Sequence, residues 1–178
     1  SNEKIIIEDI LKQLYHFENS GNKVDMKTLV QVLDFNNNRI VEAIKKMTIN
    51  DLIYFESDVL KLTETGREYA LRIVRVYRLW ERYLADKTGF SKTEWHDRAE
   101  LMEHQLNHDE TEKLAAHLGN PKFDPHGDPI PTKTGKMAAV NGVELPLLPV
   151  NTVGRITHIE HEPEVIYNQI LAENIHIG

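Results

Sequence analysis

The sequence predicts a mainly α fold: an N-terminal winged helix-turn-helix, then an all-helical domain, then the start of a small β domain. Three observations carry this reading. Apolar residues recur three or four apart through most of the first fifty positions. Two short β-prone runs follow, separated by three residues. Beyond them come capped helical segments that end in a proline-rich loop.

The elements follow in order. Ile6, Ile7, Ile10, Leu11, Leu14 and Phe17 mark one face of a helix from Ile5 to Phe17, which Gly21-Asn22 ends. Asp25 caps a short helix, Met26 to Leu33. Asp34-Phe35-Asn36 turns the chain into a third, Asn37 to Met47, with Ile40, Ile44 and Met47 on one face. Leu52–Phe55 and Val59–Leu62 form a hairpin around Glu56-Ser57-Asp58. Helix, helix-turn-helix, hairpin is the order of a winged helix. Thr63-Glu64-Thr65-Gly66 leads into a long helix, about Arg67 to Lys87, stopped at Gly89. Ser91 with Glu94, and Asn107 with Glu110, are capping-box pairs for two more helices, Lys92 to Leu106 and one ending at Leu118-Gly119. Pro121, Pro125, Pro129 and Pro131 make the next segment a stiff loop. Val150, Val153, Ile156, Ile159 and Val165-Ile166 suggest short strands. The predicted organisation is a winged-helix unit over 3–66, a helical unit over 67–131, a linker over 132–145 and a partial β domain over 146–178.

Composition narrows the chemistry. The chain has 178 residues, 40% of them hydrophobic and 28% charged, which is the balance of an ordinary globular protein. No apolar run approaches the roughly 20 residues that span a bilayer, and a cytoplasmic location is expected. Cysteine is absent, which excludes disulfides, thiolate zinc sites, iron–sulfur clusters and cysteine nucleophiles. A net charge of −7 disfavours a generally nucleic-acid-binding surface, while nine histidines leave oxygen/nitrogen metal sites open. Phosphate-binding glycine loops and nucleophile elbows are missing, so no enzymatic activity is expected.

One constellation stands out. His96, Glu100, Glu103 and His104 fall at offsets of 0, +4, +7 and +8, on one helical face beside the apolar stripe of Trp95, Ala99, Met102 and Leu106. Two carboxylates and two imidazoles suit a divalent cation, whose charge offsets their mutual repulsion. A solvated acidic face would show the same spacing. Asp124-Pro125-His126-Gly127-Asp128 offers donors for a site, but turn chemistry explains it better, and His108 and His117 read as surface or cap residues.

The stretches Arg78-Leu-Trp-Glu-Arg-Tyr-Leu84, Trp95-His-Asp-Arg-Ala-Glu100, Glu103-His104 and Gly127-Asp-Pro-Ile-Pro131 resemble the DtxR/MntR family of iron- and manganese-dependent repressors. The likeness covers roughly residues 5–131, and the tail is similar to the start of that family's SH3-like (FeoA-like) domain. The resemblance places Glu100, Glu103 and His104 on the metal-ligand helix and Asp9 as a further ligand from the first helix. Glu100 and Asp9 stand where iron-type members use cysteine and methionine, so the implied cofactor is Mn²⁺ or Fe²⁺, with Zn²⁺ able to enter in vitro. Glu81 and His96 match a second site, whose usual histidine is Tyr77 here. The implied partners are a second copy of the chain and duplex DNA, the ion joining the DNA-binding and dimerisation units so that metal selects the DNA-competent form. Trp80, Leu84, Leu114 and Leu118 suit a dimer core or an ordinary intrachain one.

Asn37, Asn38 and Arg39, with Lys45 and Lys46 further along, are the expected DNA-reading residues. Lys23, Lys27, Arg39, Lys45, Lys46 and Lys61 are balanced by Asp25, Asp34, Glu42, Asp51, Glu56 and Asp58, so the unit is neutral and its nonspecific DNA affinity should be low. A second resemblance, carried by Arg-Leu-Trp-Glu-Arg-Tyr-Leu-Ala-Asp at 78–86 and Asp-Pro-His-Gly-Asp-Pro-Ile-Pro at 124–131, is to repressor-like domains appended to permeases of metal ABC transporters. It implies a cytosolic metal sensor partnered with a membrane metal transporter. The expected function is a metal-sensing winged-helix repressor of metal-uptake genes, with this sensor as the alternative.

Overall fold

The computed structural model describes residues 2–178, which divide into two compact units, one ending at Val74 and the other Arg75–Gly178. In the first, α1 (Asn2–Asn19), α2 (Met26–Val32) and α3 (Asn37–Ile49) precede an antiparallel hairpin of β1 (Ile53–Glu56) and β2 (Val59–Leu62). Asp25 caps α2 by accepting from the Thr28 N–H, and Asn36 caps α3 by accepting from the Asn38 N–H. Ser57 and Asp58 both take positive φ, 49° and 63°, and Glu56 pairs with Val59 across them. That backbone is the two-residue turn whose twist suits a tight hairpin. Ile10, Leu11, Leu29, Ile40, Met47, Ile53 and Leu60 are fully buried and form the core of this unit.

The long helix α4 (Glu64–Lys87) begins earlier than its expected start at Arg67 and contains Gly66. A Cβ built on Gly66 would stand 1.9 Å from the Leu52 carbonyl oxygen, so glycine lets the first turn press onto the backbone entering the hairpin.

In the second unit, the Ser91 N–H and hydroxyl both donate to the Glu94 carboxylate ahead of α5 (Trp95–Glu103). This helix is shorter than expected: a single 3₁₀ turn precedes it and the chain leaves it after Glu103. The Asn107–Glu110 capping box opens α6 (His108–His117). Two apolar clusters hold these helices to α4. Tyr77, Leu84, Trp95 and Ala99 form one, with Trp80 packed against it. Leu79, Ala115 and Ile130 form the other, with Leu114 and Leu118 alongside. Leu84 is thereby intrachain core.

The tail departs from expectation. No strand occurs among the described residues of 146–178; extended chain leads instead to α7 (Glu164–Ala172). Pro163 precedes that helix, and the Ile166 and Tyr167 N–H groups return to its carbonyl. Val165 and Ile166 read as a strand because two adjacent β-branched residues mimic one, while the proline ahead of them sets a helix start.

Gly66→Ala should lower stability by about 1–3 kcal/mol, although alanine is the better helix former, because backbone rather than a flexible side chain blocks the added methyl. A denaturant midpoint unchanged from the wild type would contradict this packing.

Candidate metal centre

Trp95 and Ala99 face the apolar cluster and orient α5, with Trp95 Nε1 donating to the Phe90 carbonyl at 3.1 Å. The four residues singled out on this helix are then arranged in pairs. Glu103 is buried, and its Oε1 lies 3.3 Å from His104 Nε2. Glu100 Oε1 lies 3.4 Å from His96 Nε2. The other ring nitrogen of His96, Nδ1, meets the Tyr77 hydroxyl at 2.5 Å. Asp9 lies on α1, in the first unit, and is half-buried.

Glu81 is fully buried on α4, and its neighbours come from the proline-rich loop. Two arginines of the same helix hold that loop by its carbonyls. Arg78 donates to Pro129 at 2.6 Å, and Arg75 donates to Pro131 at 2.7 Å while pairing with Glu112 at 3.0 Å. Within the loop, Asp124 Oδ1 accepts the His126 and Asp128 N–H groups, each at 2.9 Å. That leaves Asp124 Oδ2 directed elsewhere. It stands 3.9 Å from His126 Nδ1, which is 3.4 Å from Glu81 Oε2. Both oxygens of Glu81, Asp124 Oδ2 and His126 Nδ1 are buried and have no hydrogen-bond partner.

Glu81, Asp124 and His126 each offer a ligand atom within 4.8 Å of the others, and so do His126, Asp128 and His161. The His126 and His161 rings stack at 4.5 Å, and Tyr167 meets His126 edge-on at 5.3 Å. His161 Nδ1 is likewise buried without a hydrogen-bond partner. Gly127 has φ +90°, and a Cβ there would stand 2.0 Å from the Thr157 carbonyl oxygen, so the tail can lie directly on the loop.

Electrostatics follow from this crowding. Burial, then the nearby Asp124 and Asp128, pushes the Glu81 carboxyl well above its ordinary value of 4.5. Burial opposes ionisation of Asp128 as well, but the His158 hydrogen bond at 2.9 Å and Arg78 outweigh it and hold that carboxyl low. The same bond raises His158, whereas burial and His126 lower His161. Converging buried donors with nothing to bind are costly unless a cation compensates them, and two carboxylates with an imidazole fit one.

Asp124, His126, Asp128 and His161 were missing from the sequence-derived sites. The loop motif reads as a turn, and it is one, but the turn itself delivers the donors. The available signal was acid, imidazole, acid at every second position between prolines.

The recognition surface is also arranged in pairs. Lys45 meets Glu42 at 3.0 Å, Lys46 meets Glu3 at 2.7 Å, and Lys61 pairs with Glu56 on the hairpin. Asn37, Asn38 and Arg39 are exposed on the first turn of α3.

Residues 63–132 match the family model described as iron dependent repressor, metal binding and dimerisation domain. A structure of a manganese-dependent transcriptional repressor in complex with manganese superposes with a TM-score of 0.83 and 29% identity, over 96% of this chain and 80% of that one. In sequence and fold the chain is similar to the DtxR/MntR family of repressors. The iron-dependent repressor IdeR of Mycobacterium tuberculosis is 32% identical over 125 residues, 70% of this chain and 54% of the relative. A probable metal transport system membrane protein of Chlamydia trachomatis is 43% identical over 75 residues, 42% of this chain and 17% of that protein. The chain thus spans about half the length of IdeR and under a fifth of the chlamydial protein. No helix among the described residues is long and apolar enough to cross a membrane.

The raised Glu81 value fixes a stability trend. In chelator-treated protein the folded form retains a proton that the unfolded chain releases above about 4.5, so this group makes the fold less stable as pH rises through that window, until Glu81 itself ionises. Glu81→Gln should remove that part of the slope. Denaturation at a series of pH values tests it, and a variant with the wild-type slope would contradict the assignment.

Proposed function

We propose that the chain is the core of a dimeric, divalent-metal-dependent winged-helix repressor of metal-uptake genes, and not an enzyme. The observation that carries this reading is the likeness to the manganese-dependent repressor structure over 96% of the chain, winged helix and metal-binding helices included. The family resemblance supports Asp9, Glu100, Glu103 and His104 as ligands of one ion, a cation that biases the DNA-competent arrangement. Glu81, Asp124 and His126 supply a second centre, with His161 and Asp128 beside it. Both donor sets combine carboxylate oxygen with imidazole nitrogen, which suits Mn²⁺ or Fe²⁺ and also admits Zn²⁺.

Duplex DNA is the proposed partner of Asn37, Asn38, Arg39, Lys45 and Lys46. The lysines' acidic neighbours do not forbid this. Exposed ion pairs contribute about 0–1 kcal/mol each, so a phosphate can exchange for the carboxylate, at the cost of weak nonspecific binding. A homodimer supplies two recognition helices for successive major grooves. The appended-sensor reading comes second: chlamydial metal transport membrane proteins match the chain over 75 and 131 residues, whereas the manganese-dependent repressor structure matches over 96% of it.

Fragmented DNA of the source organism should be retained by the purified chain only with Mn²⁺, with enrichment of a few promoter fragments. Glu103→Ala should abolish both tight Mn²⁺ binding and that enrichment. Equal retention with and without Mn²⁺, or no enrichment with metal binding intact, would overturn the repressor reading. Ion binding at the second centre should also displace the Glu81 proton. Calorimetry in two buffers of different ionisation enthalpy should therefore show proton release at any pH where Glu81 is still protonated in the metal-free protein, and apparent affinity should rise with pH over that range by up to about tenfold per unit.

A further inference from the structure

Tyr77 stands where the family resemblance implies a histidine ligand, and its surroundings give it a different task. The side chain is buried among Leu84, Trp95 and Ala99. Its hydroxyl lies 2.5 Å from His96 Nδ1, and the two rings meet edge-on with centroids 5.8 Å apart. On the opposite side of the imidazole, Nε2 is 3.4 Å from Glu100 Oε1, one turn further along α5. A phenol keeps its proton at neutral pH. A protonated phenol is a poor metal ligand and a good hydrogen-bond donor.

We propose that Tyr77 and His96 form a positioning pair rather than a ligand pair: the Tyr77 hydroxyl donates to His96 Nδ1, the imidazole carries its own proton on Nε2, and that N–H orients the Glu100 carboxylate for a divalent cation. Only one neutral tautomer satisfies both contacts. With the proton on Nδ1, a bare Nε2 lone pair would face a carboxylate oxygen. The contact of Glu100 Oε1 with His96 fixes the orientation in which the carboxylate meets the ion. Outer partners of this kind fix a ligand's orientation and typically change metal affinity by about 10–100-fold when removed. The side chain that replaces a ligand thus serves the ion held by Glu100. The proposal rests on the reading of Glu100 as an ion ligand.

The test uses the full chain and Mn²⁺ alone, followed by calorimetry. Tyr77→Phe keeps the ring in its cluster and removes only the donor, and it should weaken Mn²⁺ binding about 10–100-fold, as should His96→Ala. The double variant should be no weaker than His96→Ala alone, because Tyr77 acts through His96. His96→Gln should recover most of the affinity, since its amide oxygen can accept from Tyr77 and its amide N–H can donate to Glu100. Nitrogen-15 spectra of chelator-treated, histidine-labelled protein should show His96 as the Nε2–H tautomer, a preference lost in Tyr77→Phe. Unchanged affinity in Tyr77→Phe, strictly additive losses, a glutamine variant as weak as alanine, or an Nδ1–H tautomer would each overturn the pair. Glu100→Ala separates the two levels. Unchanged affinity there removes the ligand reading and the pair with it, whereas a loss there beside an unaffected Tyr77→Phe removes the pair alone.

Discussion

Glu81 is a carboxyl group with no exposed surface and no hydrogen-bond partner, facing Asp124 Oδ2 and His126 Nδ1, two atoms that are buried and unpartnered as well. Proteins rarely bury such groups uncompensated, because each forfeits its hydration for nothing in return. Much of the second unit is arranged to hold this unfavourable set together. Arg75 and Arg78 tie the loop to α4 through proline carbonyls, which have no rival claim from a regular element. Proline restricts the backbone on either side, and two backbone N–H groups occupy one oxygen of Asp124 so that the other must turn inward. Pre-organisation of this kind places the cost of assembling the donors in folding rather than in ion capture.

The candidate site on α5 is built differently. Glu103 is deeply buried there and His104 nearly so, whereas His96 and Glu100 remain partly exposed. An ion held by the exposed pair would exchange readily with solvent. The contrast between a half-open site on α5 and an enclosed one under the proline loop is a contrast in access more than in donor chemistry.

Most of the fold was legible because it follows local rules. Apolar spacing gave α1 to α3, Ser91 with Glu94 and Asn107 with Glu110 marked two helix starts, and the short acidic turn located the hairpin. Glu100 and Glu103 could be placed on one helix from spacing alone, with His104 at its C-terminal cap rather than inside it. The second cluster could not. Glu81 and His126 are forty-five positions apart, and what joins them is a loop whose prolines and glycine disguise a binding motif as a turn. His161 lies further still, and nothing local marks it. The tail misled for a related reason: β-branched pairs signal a strand by composition, whereas Pro163 decides the outcome by geometry.

His126 belongs to two trios of donors at once, one with Glu81 and Asp124, the other with Asp128 and His161. A neutral imidazole has one lone pair, because its other nitrogen carries the proton. The ring can therefore serve one trio at a time. An ion held by either trio would then withdraw the shared ligand from the other, leaving the proline loop room for one such ion at a time.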